Sequence, residues 1–173
     1  MPRLAGGIAR WLDGPYVRAA CAAGAVFLRE EPFVLEVAGR ASLHLRGAVD
    51  LAVRWPDGVV DVIDYKRSRP RPDLSAYVFQ LRAYALALAR RFPEARVHAG
   101  VLFLGAADEP AWLGGGAELS TEDHCAFEVS LAELALDYSG SRAADVWEGV
   151  PIERCRSLHC GFVTACHRRG KVR

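Results

Sequence analysis

The sequence predicts an α/β fold, a central mixed β-sheet flanked by helices. Three observations carry that prediction. Residues 59–65 and 97–104 are nearly continuous apolar runs, the pattern of strands buried on both faces of a sheet. Between them, Leu74, Tyr77, Val78, Leu81, Tyr84, Ala85 and Leu88 recur at three- and four-residue steps, which predicts an amphipathic helix over 73–91. Ahead of both, Trp55-Pro-Asp57-Gly58 joins residues 43–55 to 59–65 as a hairpin, because Asp and Gly tolerate the positive φ of tight turns.

The remaining elements follow in order. Residues 7–23 are helical in period but broken at Gly14-Pro15, so two short helices are expected. Residues 32–37 have strand composition. Residues 67–72 form a proline-broken basic loop that cannot continue the preceding strand, and Asp73 is placed to cap the helix after it. A loop over 105–116, an edge strand at 126–129 and a last helix over 131–148 complete the expectation.

With 173 residues, 51% of them hydrophobic, the chain suffices for one core and is short for two, so residues 1–173 read as a single domain with a cysteine-rich basic tail at 151–173. No apolar run approaches the roughly 18 residues of a membrane span, and no signal-peptide pattern follows Met1. A cytoplasmic protein without a membrane partner is expected. Five cysteines, an odd number in a chain this long, point to reduced thiols or metal ligands rather than a disulfide scaffold.

The net charge is +1, but it is distributed unevenly. Residues 64–96 carry eight basic and three acidic side chains, residues 106–150 one and ten, and residues 151–173 six and one. Such asymmetry suits a polyanion held on one face, although a solvated surface gives the same pattern.

The chemistry centres on Val-Ile-Asp64-Tyr-Lys66, fourteen residues after Asp50 in Gly47-Ala-Val-Asp50. On neighbouring strands of a hairpin, two carboxylates at this spacing can meet as hard oxygen ligands for a divalent cation. Strand alternation sends Asp64 and Lys66 to the same side, while the Tyr65 backbone carbonyl offers a further ligand. Only Lys66 and Lys171 among the 22 basic residues are lysines, so the one lysine in the body of the domain stands where phosphodiester chemistry would use it. Charge directed from an apolar strand is costly without a purpose, which favours this reading over an incidental ion pair. One helical turn apart, Gln80 and Tyr84 share a face, a glutamine to hold a phosphate or water and a tyrosine to brace it.

Together, Gly47-Ala-Val-Asp50-Leu, Val-Ile-Asp64-Tyr-Lys66 and Gln80-Leu-Arg-Ala-Tyr84-Ala resemble the RecB-like branch of the PD-(D/E)XK nucleases. With Arg29-Glu30-Glu31-Pro32-Phe33 ahead of them, they look like the C-terminal nuclease domain of AddA-type helicase-nuclease subunits. The resemblance spans about residues 29–104. It implies a restriction-endonuclease-like fold and a Mg²⁺- (or Mn²⁺-) dependent deoxyribonuclease, an exonuclease rather than an endonuclease. The implied substrate is DNA, in double-strand-break end processing and recombination repair, with a helicase domain or subunit as partner. Asp50 and Asp64 map to the family's metal ligands, Lys66 to its catalytic lysine, and Gln80 with Tyr84 to its glutamine-tyrosine motif. Arg67, Arg69 and Arg71 would face DNA. A stand-alone RecB-like exonuclease and a catalytically inactive DNA-binding or scaffold module are the alternatives.

Two departures stand out. The family usually carries a metal-binding histidine well before the first strand, and no histidine precedes Arg29, while His44 is on the wrong element. A terminal piece of a longer protein, or a weakened site, is therefore expected. Some RecB-like nucleases also end in Cys-x-x-Cys-x5-Cys and use it, with one earlier cysteine, to hold a 4Fe-4S cluster. Here Cys160 and Cys166 keep the five-residue gap, Cys155 replaces a cysteine expected at Ser157, and Cys21, or less well Cys125, would be the fourth ligand. Zinc held with His159 or His167, and plain thiols closing the core, remain open alternatives.

Overall fold

A computed structural model describes residues 2–37, 42–68, 70, 73–105, 109–146 and 150–157. Contacts group the chain into two compact units, 1–133 and 134–173. The first unit holds α1 (Pro2–Leu12), α2 (Pro15–Ala22), β1 (Val26–Val37), β2 (Leu43–Arg54), β3 (Val59–Lys66), a 3₁₀ turn at Ser75–Tyr77, α3 (Val78–Arg91), β4 (Arg96–Phe103) and β5 (Ala111–Trp112). The helix α4 (Thr121–Ala144) contains the boundary between units, and α5 (Ile152–Ser157) lies in the second.

The five strands form one mixed sheet in the order β1-β2-β3-β4-β5. β1, β2 and β3 are antiparallel neighbours, α3 crosses from β3 to a parallel β4, and β5 returns antiparallel. Hairpin and crossover thus place β3 in the middle of the sheet, where Val60, Val62 and Ile63 are fully buried. One face packs Leu35, Val49, Val60 and Val62 against Leu81, Ala85 and Leu88 of α3, with Phe127 and Leu131 of α4. The other packs Leu51, Val53, Ile63 and Leu102 against Trp11, Val17 and Ala20 from α1 and α2. Burial on both faces is what the continuous apolar runs predicted.

The hairpin turn is as expected: Gly58 takes φ 87, and its amide donates to the Trp55 carbonyl. The break between the first two helices also holds, with Gly14 as N-cap and Pro15 opening α2 in a position that suits its missing N–H.

Several elements differ: the loop expected over 105–116 holds β5 and a 3₁₀ turn at Leu113–Gly116, and the last helix expected over 131–148 is α4, Thr121–Ala144. β1 starts at Val26 rather than residue 32, so Arg29-Glu30-Glu31 belong to the strand. It is an edge strand, where charged side chains reach solvent and Pro32 has no ladder hydrogen bond to lose on its outer side. The helix expected from Asp73 begins with a 3₁₀ turn, Asp73 Oδ1 accepting from the Ser75 amide, and becomes α-helical at Val78. Residues 126–129, expected as a strand, are helical within α4. Ser120 and Asp123 start that helix as a capping box: the Asp123 amide donates to Ser120 Oγ, and the Ser120 amide to Asp123 Oδ2.

Candidate active site

The candidate residues gather where β2 and β3 part. The last ladder pair is Leu51↔Ile63, and one step beyond it Asp50 comes opposite Asp64, outside the ladder. Instead, the Tyr65 amide donates to Asp50 Oδ2 at 2.8 Å. A side chain thus accepts from a strand amide at the site where the ladder opens. On the other side of Asp50, Glu30 of β1 adopts φ 50, a left-handed conformation unusual for a residue with a Cβ, between the pairs Arg29↔Leu51 and Glu31↔Val49.

Asp64 is 1% exposed. Its Oδ2 lies 2.6 Å from Lys66 Nζ, yet neither Asp64 oxygen has an aligned hydrogen bond, so the contact is an ion pair of poor angle. Burial raises the Asp64 carboxyl above its ordinary range; Lys66 offsets part of this, and the charge of Asp50 adds to it. Two close carboxylates, one buried with unsatisfied oxygens, form a donor set suited to a hard divalent cation, which typically keeps waters and phosphate oxygens as its other ligands. No group of three or more His, Cys, Asp or Glu able to hold a metal occurs among the described residues.

Lys66 links the carboxylates to α3. Its Nζ donates to Gln80 Oε1 at 3.1 Å, and Gln80 Nε2 donates to the Tyr84 hydroxyl at 2.7 Å. The one-turn spacing therefore yields a continuous series from Asp64 through Lys66 and Gln80 to Tyr84. Tyr84 is 8% exposed, and burial raises its hydroxyl pKa, with Asp50 and Asp64 adding to the effect. The glycine of the Gly47-Ala-Val-Asp50 run has a packing reason as well. Phe33, its cross-strand partner, lies over it, so a Cβ would come 2.9 Å from the ring. The Phe33 ring then meets Tyr84 edge-on, with centroids 5.7 Å apart.

Sequence reasoning missed two features. Tyr77, read as a core position, lies with its ring 5.4 Å from Lys66 Nζ. Asp61, on the opposite face of β3, is a second buried carboxylate: Tyr16 and Trp55 donate to its Oδ2 at 2.6 and 2.7 Å, and His98 Nδ1 is 3.1 Å from Oδ1. Burial and Asp61 together raise the Tyr16 pKa far above its ordinary value. An isolated acidic residue in an apolar strand, Val59-Val-Asp61-Val, was the available signal for it.

Arg67 is exposed beyond β3, and His44 is on β2, 3.9 Å from Glu36. Cys21 and Cys125 are exposed in the first unit, and Cys155 is buried in the second, its Sγ 4.0 Å from the Val150 carbonyl. Arg69, Arg71, Cys160, Cys166, His159 and His167 lie outside the described residues.

A family model described as the PD-(D/E)XK nuclease superfamily matches residues 5–167. No curated protein matches the sequence. A solved structure described as "Crystal structure of SSO0001" is similar at 15% identity and TM-score 0.49, over 85% of this chain and 62% of that one. Ordered motifs, sheet and helices agree with the family match over nearly the whole length, and the chain belongs to the PD-(D/E)XK nuclease superfamily.

Proposed function

We propose that this domain is a Mg²⁺- or Mn²⁺-dependent deoxyribonuclease that hydrolyses DNA phosphodiesters at Asp50, Asp64 and Lys66. The observation that carries the reading is the meeting of Asp50 and Asp64 at the opening of the β2–β3 ladder, with the buried Asp64 oxygens lacking aligned hydrogen bonds. Asp50, Asp64 and the Tyr65 carbonyl would hold the cation. When bound, it supplies Lewis acidity at the scissile phosphate and charge to offset the anionic transition state.

The protein's own groups do the rest. Lys66 places an ammonium beside the carboxylates, aimed to hydrogen-bond the attacking water or the phosphate oxygens as charge builds on them. Gln80 fixes Lys66 from α3, and Tyr84 fixes the rotamer of Gln80. Water gives up a proton and adds to phosphorus as hydroxide, the bond from phosphorus to the leaving deoxyribose oxygen breaks, and that oxygen takes a proton, so that one water is consumed for each bond cut. Arg67, with Arg69 and Arg71 beyond it in sequence, would attract the strand to this edge.

The finer reading is a RecB-like exonuclease module of AddA type, in a cytoplasmic helicase-nuclease acting on double-strand ends in recombination repair. What supports it is the run of motifs from Arg29 to Tyr84. No helix among the described residues is long and apolar enough to cross a membrane. A 4Fe-4S or zinc site using Cys21, Cys155, Cys160 and Cys166 remains a proposal, checked by iron, sulfide and zinc analysis of anaerobically purified protein. The rival reading is an inactive DNA-binding or scaffold module.

Cleavage of end-labelled single- and double-stranded DNA, with and without Mg²⁺ or Mn²⁺, tests the reading. Metal-dependent hydrolysis that disappears in Asp64→Ala and Lys66→Ala is expected. DNA binding without cleavage at any metal concentration would leave the inactive module.

A further inference from the structure

We propose that Tyr77 is a positioning residue whose ring face holds the Lys66 ammonium against Asp64 before substrate arrives. A lysine ammonium has three N–H donors. One side of Lys66 meets Asp64 Oδ2 at 2.6 Å and another donates to Gln80 Oε1 at 3.1 Å. The Tyr77 ring centroid is 5.4 Å from the same nitrogen, within cation–π range. Lys66 is only 25% exposed on its side chain, so the attraction is less diluted by water than at an open surface.

The ring is itself held in place. It meets Phe103 of β4 edge-on at 6.1 Å, and the Tyr77 hydroxyl is 3.4 Å from Ser68 Oγ. The 3₁₀ turn is what delivers it: because α-helical geometry begins only at Val78, Tyr77 is carried on a separate short turn between the basic loop and α3. A flexible four-carbon side chain is thereby fixed from three directions, by β3, by α3 and by the turn. Preorganisation of this kind leaves less reorganisation for the moment of reaction. The contact exists without substrate; its effect on turnover rests on the nuclease reading above.

The chain has only two lysines, Lys66 and Lys171, which makes the contact directly observable. Lysine labelled with ¹³C at Cε gives two methylene signals in the metal-free, DNA-free protein, and Lys66→Arg assigns them. An upfield ring-current shift of the Lys66 signal is expected in the parent and in Tyr77→Phe. It should be lost in Tyr77→Leu and in the second ring-free variant, Tyr77→Met. A Lys66 signal unchanged across the series overturns the proposal whether or not the protein cleaves DNA.

In the cleavage assay, the ring-free variants should lose about fivefold in kcat at unchanged KM, while Tyr77→Phe keeps parental kcat within about twofold, the range expected of a partly exposed cation–π contact. Equal losses in Tyr77→Phe and Tyr77→Leu would assign the effect to the hydroxyl. A raised KM at parental kcat would place Tyr77 on the substrate instead. Either result overturns the positioning role. Absence of cleavage in the parent, with the lysine shifts as expected, would sink the nuclease reading and leave the contact standing.

Discussion

Burial holds the Asp64 carboxyl above the ordinary aspartate range, Lys66 offsets part of that, and Asp50 adds to it. The sign of the consequence follows from linkage. With its folded pKa raised, Asp64 costs no stability below the ordinary value of about 3.9, and its cost grows as pH rises through the folded pKa. Metal-free Asp64→Asn should therefore unfold at higher urea than the parent at pH 7, with the gap closing below about pH 4. The same variant should lose cleavage and the thermal shift that Mg²⁺ gives the parent, since a cation stabilises only the state that binds it. A parent more stable than Asp64→Asn across the whole pH range would refute the account. Gly47 is a second test at this scale. In Gly47→Ala the new Cβ would come 2.9 Å from the Phe33 ring that packs on Tyr84. A loss of about 1–3 kcal/mol is expected from such overpacking, and it should be smaller when Phe33→Leu is already present. Additive losses in a urea-unfolding double-mutant cycle would mean that the two side chains do not share the space.

At the scale of elements, α4 shows what one local signal decides. Ser120 caps the helix reciprocally with Asp123, and those hydrogen bonds, the Ser120 amide first, lower the Asp123 pKa. Its stabilisation is fully present above the unfolded value of about 3.9 and is lost as pH falls through the lower folded value. Replacing Asp123 by Ala should cost about 0.5–1 kcal/mol at neutral pH, and less as the solution becomes acid through that window. A gap that is constant with pH in chemical denaturation would remove the cap from the account. Residues 126–129 are helical rather than a strand because Ser120-Thr-Glu-Asp123 ahead of Ala-Phe-Glu-Val carries a helix start signal that local composition does not override. β1 was legible only from residue 32 because an edge strand tolerates Arg29-Glu30-Glu31, which a central strand would exclude. By contrast β3 and β4 were legible almost to the residue, since burial on both faces leaves little freedom in composition, and α3 was legible at its C-terminal end but not at its start. The series Asp50, Asp64, Lys66, Gln80 and Tyr84 was legible for a related reason: fixed strand and helix periods convert its spacings into shared faces. The contact of Tyr77 with Lys66 was not: the ring does pack against the core, as its spacing implied, but the 3₁₀ turn that also brings it beside Lys66 has no signal in the helical period.

Over the sheet as a whole, the two faces carry different burdens. The α3 face holds Asp64, Lys66, Gln80 and Tyr84, and its buried oxygens are left incompletely satisfied. On the α1–α2 face, Asp61 is satisfied three times over, by Tyr16 of α2, Trp55 at the end of β2 and His98 of β4. Around it, Tyr16 stacks on Trp11 at 5.1 Å and meets Trp55 edge-on at 5.8 Å, so the carboxylate fastens the first two helices to the sheet. Asp61 and Asp64 are three residues apart on one strand, and alternation is what separates a structural carboxylate from a chemical one. Replacing Asp61 by Ala strands three partly buried donors at once. The expected cost is about 3–5 kcal/mol, the range for breaking a buried polar cluster from one side. At about 2–4 °C per kcal/mol for a chain of this size, the melting temperature should fall by roughly 6–20 °C. Well below that transition, kcat for DNA cleavage should stay within about twofold of the parent, because none of the lost contacts reaches the α3 face. A collapse of kcat in protein that melts normally would show instead that the network on one face sets the geometry of the other, with Tyr65 as the conduit: its amide donates to Asp50, and its hydroxyl lies beside Trp11.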